Sequence, residues 1–424
     1  MFDNAIVDNL LPQYTFPMSN ILFAWEFGEN WGHLSRDLPI ARQLIAAGHK
    51  VLCVVQDTRI AAEILEPAGI PFVQAPMSRR ILQTTKPIES YGEMLIIGGY
   101  GEHDTLRGLI EGWLGLFKLF IPDAVLIDYA PTALLAARIK GIPTVLTGSG
   151  FELPPQSKPL PSFNTRASSK DTHLLGEGIA LRNINHVLAS FQAQPLSQFA
   201  DIFHGEHKIL TTFAELDHYG ERNEQIYAGP IYEMPHARSA QWPEGNDVPR
   251  IFAYLRPWMP GIEDLLLALH SSGANVICAF PGATTAQIQR FQTSQLQIFP
   301  MAVSLTPLLP SVDLVIGYGS GTVATALLAG VPLLLVPRWS EQLLTALRVE
   351  ALGAGLSVKG KPSQETFSSA INALLTDPGI QAAAKRFAKK YESFNIEQAV
   401  NGIVDTIYSV IPHDRKHPGQ DTAE

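Results

Sequence analysis

The 424-residue chain has only two cysteines, Cys53 and Cys278, each inside an apolar, strand-like run, KVLCVV and NVICAF. Both read as reduced core side chains, which excludes a disulfide scaffold and suits a cytoplasmic location. No apolar run reaches the ~18 residues that a membrane-spanning helix needs. The opening stretch MFDNAIVDNLLPQYTFP carries two aspartates and no positive charge, so it does not read as a signal peptide. A membrane span is therefore not expected, and peripheral association is left open. Lys and Arg form no run and the net charge is −9, which argues against a nucleic-acid partner. No Asp-x-Asp occurs, so nothing points to a divalent metal held on a diphosphate, and no metal site is expected. Charged residues amount to 17% against 46% apolar, a balance that suits strands buried on both faces rather than disorder.

What is present is a repeated alternation. Short apolar runs (ILFAW, KVLCVV, IPFVQAP, AVLIDY, IPTVLTG) alternate with helix-period segments (LPIARQLIAAG, RIAAEILEPAG, PTALLAARIKG), and a second such series begins at Arg250 with RIFAYL. Repeated β–α–β implies a parallel sheet with helices on both faces. The length exceeds what one core serves and suggests two domains of roughly 200 residues. The expected division is an N-terminal extension over residues 1–19, a Rossmann-like domain over 20–226 and a linker over 227–249, which is rich in Pro and Gly and lacks periodicity. A second Rossmann-like domain spans 250–390, a C-terminal helix 391–411 packs back across the first domain, and a disordered polar tail covers 412–424. Residues 151–166 carry four prolines and read as a long irregular loop near a cleft.

Residues 313–342, DLVIGYGSGTVATALLAGVPLLLVPRWSEQ, combine a strand, a glycine-rich turn, a small-residue helix and a second strand ending in a polar loop. The first N–H groups of a helix have no internal partner, and the helix dipole favours an anion above them. Gly317, Gly319 and Gly321 keep side chains away, so a diphosphate can approach Ser320 and Thr322 closely. The spacing is GxGxG, neither the GxGxxG of dinucleotide sites nor a P-loop, which needs Lys after its last glycine.

These residues resemble the GT-B glycosyltransferases, especially the nucleotide-sugar-dependent group with macrolide and plant natural-product enzymes. The resemblance covers residues 20–150 and 250–355, and its strongest element is Gly321-Thr322, Ala326-Leu327, Gly330-Val331-Pro332 and Pro337. It implies an α/β fold of two facing Rossmann-like domains with parallel sheets and a cleft between them. It further implies that Glu341 and Gln342 bond the donor sugar. The family's usual diphosphate histidine and ribose glutamate are replaced by Gly317 and Thr325. Arg256, ending the first strand of the second series, is the expected substitute, since its fork can bind diphosphate oxygens.

In the first half, the resemblance places a general base at His33, at the start of a helix whose buried stripe is expected to be Leu34, Leu38, Ala41 and Ile45. It places the orienting carboxylate at Asp128. A histidine near a helix N-terminus stays neutral and available as a base, and a carboxylate stabilises the imidazolium that forms. Tyr91 and Tyr100, interleaved with glycines, are expected to line an apolar acceptor pocket. The implied reaction is glycosyl transfer with inversion from a nucleoside-diphosphate sugar, used as co-substrate with no cofactor, to an acceptor hydroxyl. Two alternatives remain at this level: a degenerate GT-B protein that activates a partner, and a GT-B nucleotide-sugar epimerase.

Overall fold

The computed structural model describes residues 18–29, 31–78, 88–163, 170–205, 207–233, 237–243 and 247–412. The extension up to residue 17 and the tail from residue 413 lie outside the described residues. The first domain runs β1 (Asn20–Trp25), α1 (Gly32–Ala46), β2 (Lys50–Val55), α2 (Thr58–Ile64), β3 (Phe72–Gln74), α3 (Tyr91–Leu95), α4 (His103–Phe120), β4 (Ala124–Asp128), α5 (Pro131–Lys140), β5 (Thr144–Gly148), α6 (Lys170–Ser190), β6 (His207–Leu210) and β7 (Ile226–Tyr227). The second runs β8 (Arg250–Tyr254), α7 (Ile262–His270), β9 (Asn275–Ala279), α8 (Thr285–Phe291), β10 (Leu296–Phe299), β11 (Leu314–Gly317), α9 (Ser320–Leu328), β12 (Leu333–Leu335), α10 (Ser340–Ala351), β13 (Gly355–Ser357), α11 (Gln364–Thr376), α12 (Pro378–Lys390) and α13 (Ile396–Val410).

Every strand pair is parallel, in the orders β3-β2-β1-β4-β5-β6-β7 and β10-β9-β8-β11-β12-β13. The central strands are buried along nearly their whole length, as parallel strands covered on both faces must be. Strand order reverses between β1 and β4 in the first sheet and between β8 and β11 in the second. Helices diverge to opposite faces at such a point, and the crevice left above the strands' carboxyl ends is where open α/β sheets bind ligands. Trp25 and Asp128, the last residues of β1 and β4, are register partners at the first crevice. The glycine-rich turn follows β11 at the second.

The last helix returns to the first domain. Ala399, Val400, Ile403, Val404 and Ile407 of α13 join the core built around β1, β4 and β5, whereas Phe387 of α12 packs into the second domain beside Phe213. Both cysteines are buried and unpaired. The stripe of α1 differs from the expected one at its end: Ile45 is 39% exposed and Leu44 is buried in its place, because the helix rotates the core-facing side one residue back by its fourth turn. Residues 149–163 form no regular helix or strand, as their prolines suggest. No helix among the described residues is long and apolar enough to cross a membrane.

Candidate active site

At the first crevice, α1 presents His33 to the end of β4. His33 Nδ1 lies 3.1 Å from each carboxylate oxygen of Asp128, and the imidazole stacks against Trp25 with ring centroids 5.1 Å apart. With Nδ1–H directed at the carboxylate, Nε2 carries the lone pair. Nε2 faces Gly28, where an added Cβ would stand 2.4 Å away, and Gly28 has φ +87°, a conformation glycine adopts freely. The loop leaving β1 thus keeps its backbone bare opposite the basic nitrogen.

Two charged residues complete this cluster. Arg36, one helical turn after His33, donates through Nη2 to Asp128 and, over 3.3 Å, to Glu152 in the proline-bearing loop. Glu152 also accepts from the Ser149 N–H at 2.8 Å and hydroxyl at 2.9 Å. Burial alone would raise the Asp128 carboxyl, but Arg36 and then His33 hold it below the ordinary range. The neighbouring Asp37 goes the other way, raised by burial and by the charge on Asp128. His33, Asp128 and Glu152 bring ligand atoms within 4.8 Å of one another, a spacing a metal ion could use. The Arg36 guanidinium, bonded to both carboxylates, already supplies a cation there, and the donor set does not favour a second.

Glu26, just past β1, fixes the approach of this turn. Its two oxygens accept from the Thr132 N–H at 2.9 Å and the Ala133 N–H at 3.0 Å, satisfying the first turn of α5, which starts three residues after Asp128. Burial raises the Glu26 carboxyl to about 8 against the pull of those N–H groups.

At the second crevice, Gly319 precedes α9 without any side-chain cap, so the N–H groups of the first turn are left for another acceptor. Side chains would fit at Gly317, whose Cβ would be 3.5 Å from Thr322, and at Gly319, which has nothing within 4 Å. Gly321 is different: a Cβ there would meet the ring of Tyr232 at 3.2 Å. Its missing side chain makes room for a tyrosine of the linker. Thr325 spends its hydroxyl on the Gly321 carbonyl one turn back, at 2.8 Å. Arg256 leaves the end of β8, donates to the Tyr254 hydroxyl at 3.2 Å and lies over its ring, with Tyr318 alongside. It is half-buried and pairs with no carboxylate among the described residues, which makes it a cation available to an anion.

Glu341 and Gln342 begin α10. Glu341 Oε1 accepts from the Ser320 hydroxyl at 2.7 Å and lies 3.3 Å from His218 Nε2 of the first domain. Burial would raise this carboxyl, but the hydrogen bonds from His218, Ser320 and Thr345 hold it below the usual range. Gln342 is buried, and its carbonyl accepts from the Arg338 N–H at 2.9 Å, capping its own helix.

The structure therefore brings together His33 with Asp128, and Ser320 with Glu341. It does not support Tyr91 and Tyr100 as the lining of an acceptor pocket. Both are fully buried: the Tyr91 hydroxyl donates to the Phe151 carbonyl, that of Tyr100 is 2.8 Å from Thr132 Oγ1, and the rings pack into the first-domain core. Arg36, Glu152, Gly28, His218 and Tyr232 were not singled out from the sequence. The i, i+3 spacing of His33 and Arg36 on one helix face was the one local sign available.

The C-terminal half matches the family model "Erythromycin biosynthesis protein CIII-like, C-terminal domain" over residues 265–404. An L-demethylnoviosyl transferase of Streptomyces niveus is 25% identical over 370 residues, covering 84% of this chain and 89% of that protein. A sterol 3-beta-glucosyltransferase of Vanderwaltozyma polyspora is 34% identical over 109 residues, 26% of this chain; the chain matches only 9% of that protein's length. Among solved structures, the glycotransferase of kitacinnamycin superposes with a TM-score of 0.69 at 14% identity, covering 94% of this chain and all of that one. The glycosyltransferase VinC, solved in complex with DTDP, gives 0.65 at 17% identity, covering 92% and 100%. These likenesses, laid over two facing parallel sheets whose crevices hold a His–Asp pair and a bare helix N-terminus, show the GT-B fold, and residues 265–404 carry the domain shared with the erythromycin CIII-like proteins.

Proposed function

We propose that this chain is a glycosyltransferase that moves a sugar from a nucleoside-diphosphate donor to an acceptor hydroxyl by direct displacement, with inversion at the anomeric carbon. The observation that carries the reading is the buried His33–Asp128 pair whose free Nε2 faces the bare backbone of Gly28 at the first switch point. The acceptor O–H donates to Nε2, and His33 removes its proton as the oxygen attacks the anomeric carbon from the face opposite the leaving group. Asp128 keeps the imidazole in the right tautomer and stabilises the imidazolium.

The leaving diphosphate is received by the N–H groups of Ser320, Gly321 and Thr322 above Gly319, and by Arg256. Preorganised donors of this kind need no metal ion. Glu341, already held to Ser320, faces the donor side and bonds sugar hydroxyls; Gln342 reaches them only by giving up its cap. VinC binds DTDP, which makes a thymidine or uridine diphosphate the first ligand to test. The test is thermal stabilisation by a panel of nucleoside diphosphates and their sugars in excess chelator. A ligand at 100 times its dissociation constant adds about 2.7 kcal/mol to stability. At least one such shift is expected without added metal, and shifts that appear only with magnesium or manganese would contradict the metal-free site.

A further inference from the structure

The linker enters the cleft immediately after β7. The Glu233 N–H donates to the Ser35 carbonyl at 3.0 Å, and its carboxylate pairs with Arg42, which anchors the segment to α1 two residues beyond His33. Tyr232, one residue earlier, lays its ring on the first turn of α9. A Cβ at Gly321 would meet Cγ, Cδ1 and Cδ2 of that ring at 3.2 Å each, so the contact is with the ring's face. Tyr232 also walls a cavity of about 10 Å³ with Pro230, His218, Ser320 and Thr345, room for the centre of a single water.

The charged groups facing the phenol come from both halves of the site: Arg36, Glu152 and Asp128 from the first domain, Glu341 from the second. Tyr232 is half-buried, and its hydroxyl has no hydrogen-bond partner among the described residues. The hydroxyl is thus free to donate to a bound ligand. We propose that Tyr232 is a donor-site residue carried by the linker, its ring roofing the first turn of α9 and its O–H donating to an oxygen of the bound nucleoside-diphosphate sugar. The proposal rests on the glycosyltransferase reading above. Burial holds the phenol above its ordinary value, and three carboxylates around it oppose a phenolate, so the group serves as a donor. The ring explains why position 321 has no side chain. Its place between the α9 loop and the His33–Asp128 pair puts the hydroxyl where donor and base must meet.

Calorimetric titration of the full chain with UDP, TDP, UDP-glucose and TDP-glucose tests this, with melting followed in parallel. Tyr232→Phe keeps the ring and removes the hydroxyl; it should melt with the wild type and bind the preferred ligand about three- to tenfold more weakly, the worth of one neutral hydrogen bond. A loss shared by diphosphate and sugar nucleotide places the acceptor oxygen on the phosphates, and a loss confined to the sugar nucleotide places it on the sugar. Gly321→Ala, which pushes the ring off α9, should weaken binding likewise. Unchanged affinity in Tyr232→Phe with a wild type that binds overturns the proposal alone. A wild type that binds none of the four overturns it together with the glycosyltransferase reading.

Discussion

Arg36 is the residue on which the base site depends for charge balance. It is buried, bonded to Asp128 and Glu152, and one turn from His33. Removing one partner from a buried ionic cluster leaves the others uncompensated. Arg36→Met should therefore destabilise the fold by about 3–5 kcal/mol, read as a drop in the denaturant midpoint; a change within the range of surface substitutions would mean that the carboxylates are satisfied without it. The pairing of His33 with Asp128 was legible in the sequence, because each stands at an element boundary inside a matched stretch. Arg36 and Glu152 were not, since an arginine on a helix and a glutamate in a proline-rich loop look like solvated surface until the fold buries them. Tyr91 and Tyr100 mislead for the opposite reason. Aromatics among glycines look the same in sequence whether their hydroxyls meet a ligand or, as here, Phe151 and Thr132 in the core.

At the scale of elements, Glu26 joins β1 to α5 and makes that joint sensitive to pH. Its carboxyl is raised in the folded protein from 4.5 to about 8, so the folded state holds the proton more tightly than the unfolded chain does. The stability this provides is complete below pH 4.5 and is lost as pH rises towards about 8. Glu26→Gln removes that titration, and its stability should fall less steeply than the wild type's between those limits; parallel curves from chemical denaturation would refute the assignment. The terminal helix offers a second test. Ile403 of α13 is fully buried in the first-domain core, and Ile403→Ala should cost about 2–5 kcal/mol although it lies beyond the second domain in sequence. A negligible loss would mean that α13 is only loosely docked. The alternation of strands and helices was readable because doubly covered strands are apolar throughout. The return of α13 to the first domain was expected from the architecture alone, since its apolar spacing shows a buried face without saying which core receives it.

For the molecule as a whole, the proposed function requires two crevices on separate sheets to face one another. The first-domain and linker residues that span them, His218 facing Glu341 and Tyr232 facing Gly321, come from irregular segments whose sequence carries no periodic signal. The donor half should fail independently of the base half. Arg256→Ala is expected to weaken nucleoside-diphosphate binding by about tenfold, ~1.4 kcal/mol, without unfolding the protein, and unchanged calorimetric affinity would remove Arg256 from the site.

The proposed reaction stands or falls on His33 taking the acceptor proton during inverting sugar transfer. Its most direct test is the turnover of wild type and His33→Ala with the donor found by thermal stabilisation, followed by nucleoside-diphosphate release and by the anomeric configuration of the product. An inverted product is expected, with turnover lower by roughly 10²–10⁴-fold in the variant and nearly unchanged donor affinity, because His33 and the α9 loop lie on opposite domains. Transfer that survives His33→Ala undiminished, or a product that retains the donor's configuration, would contradict it.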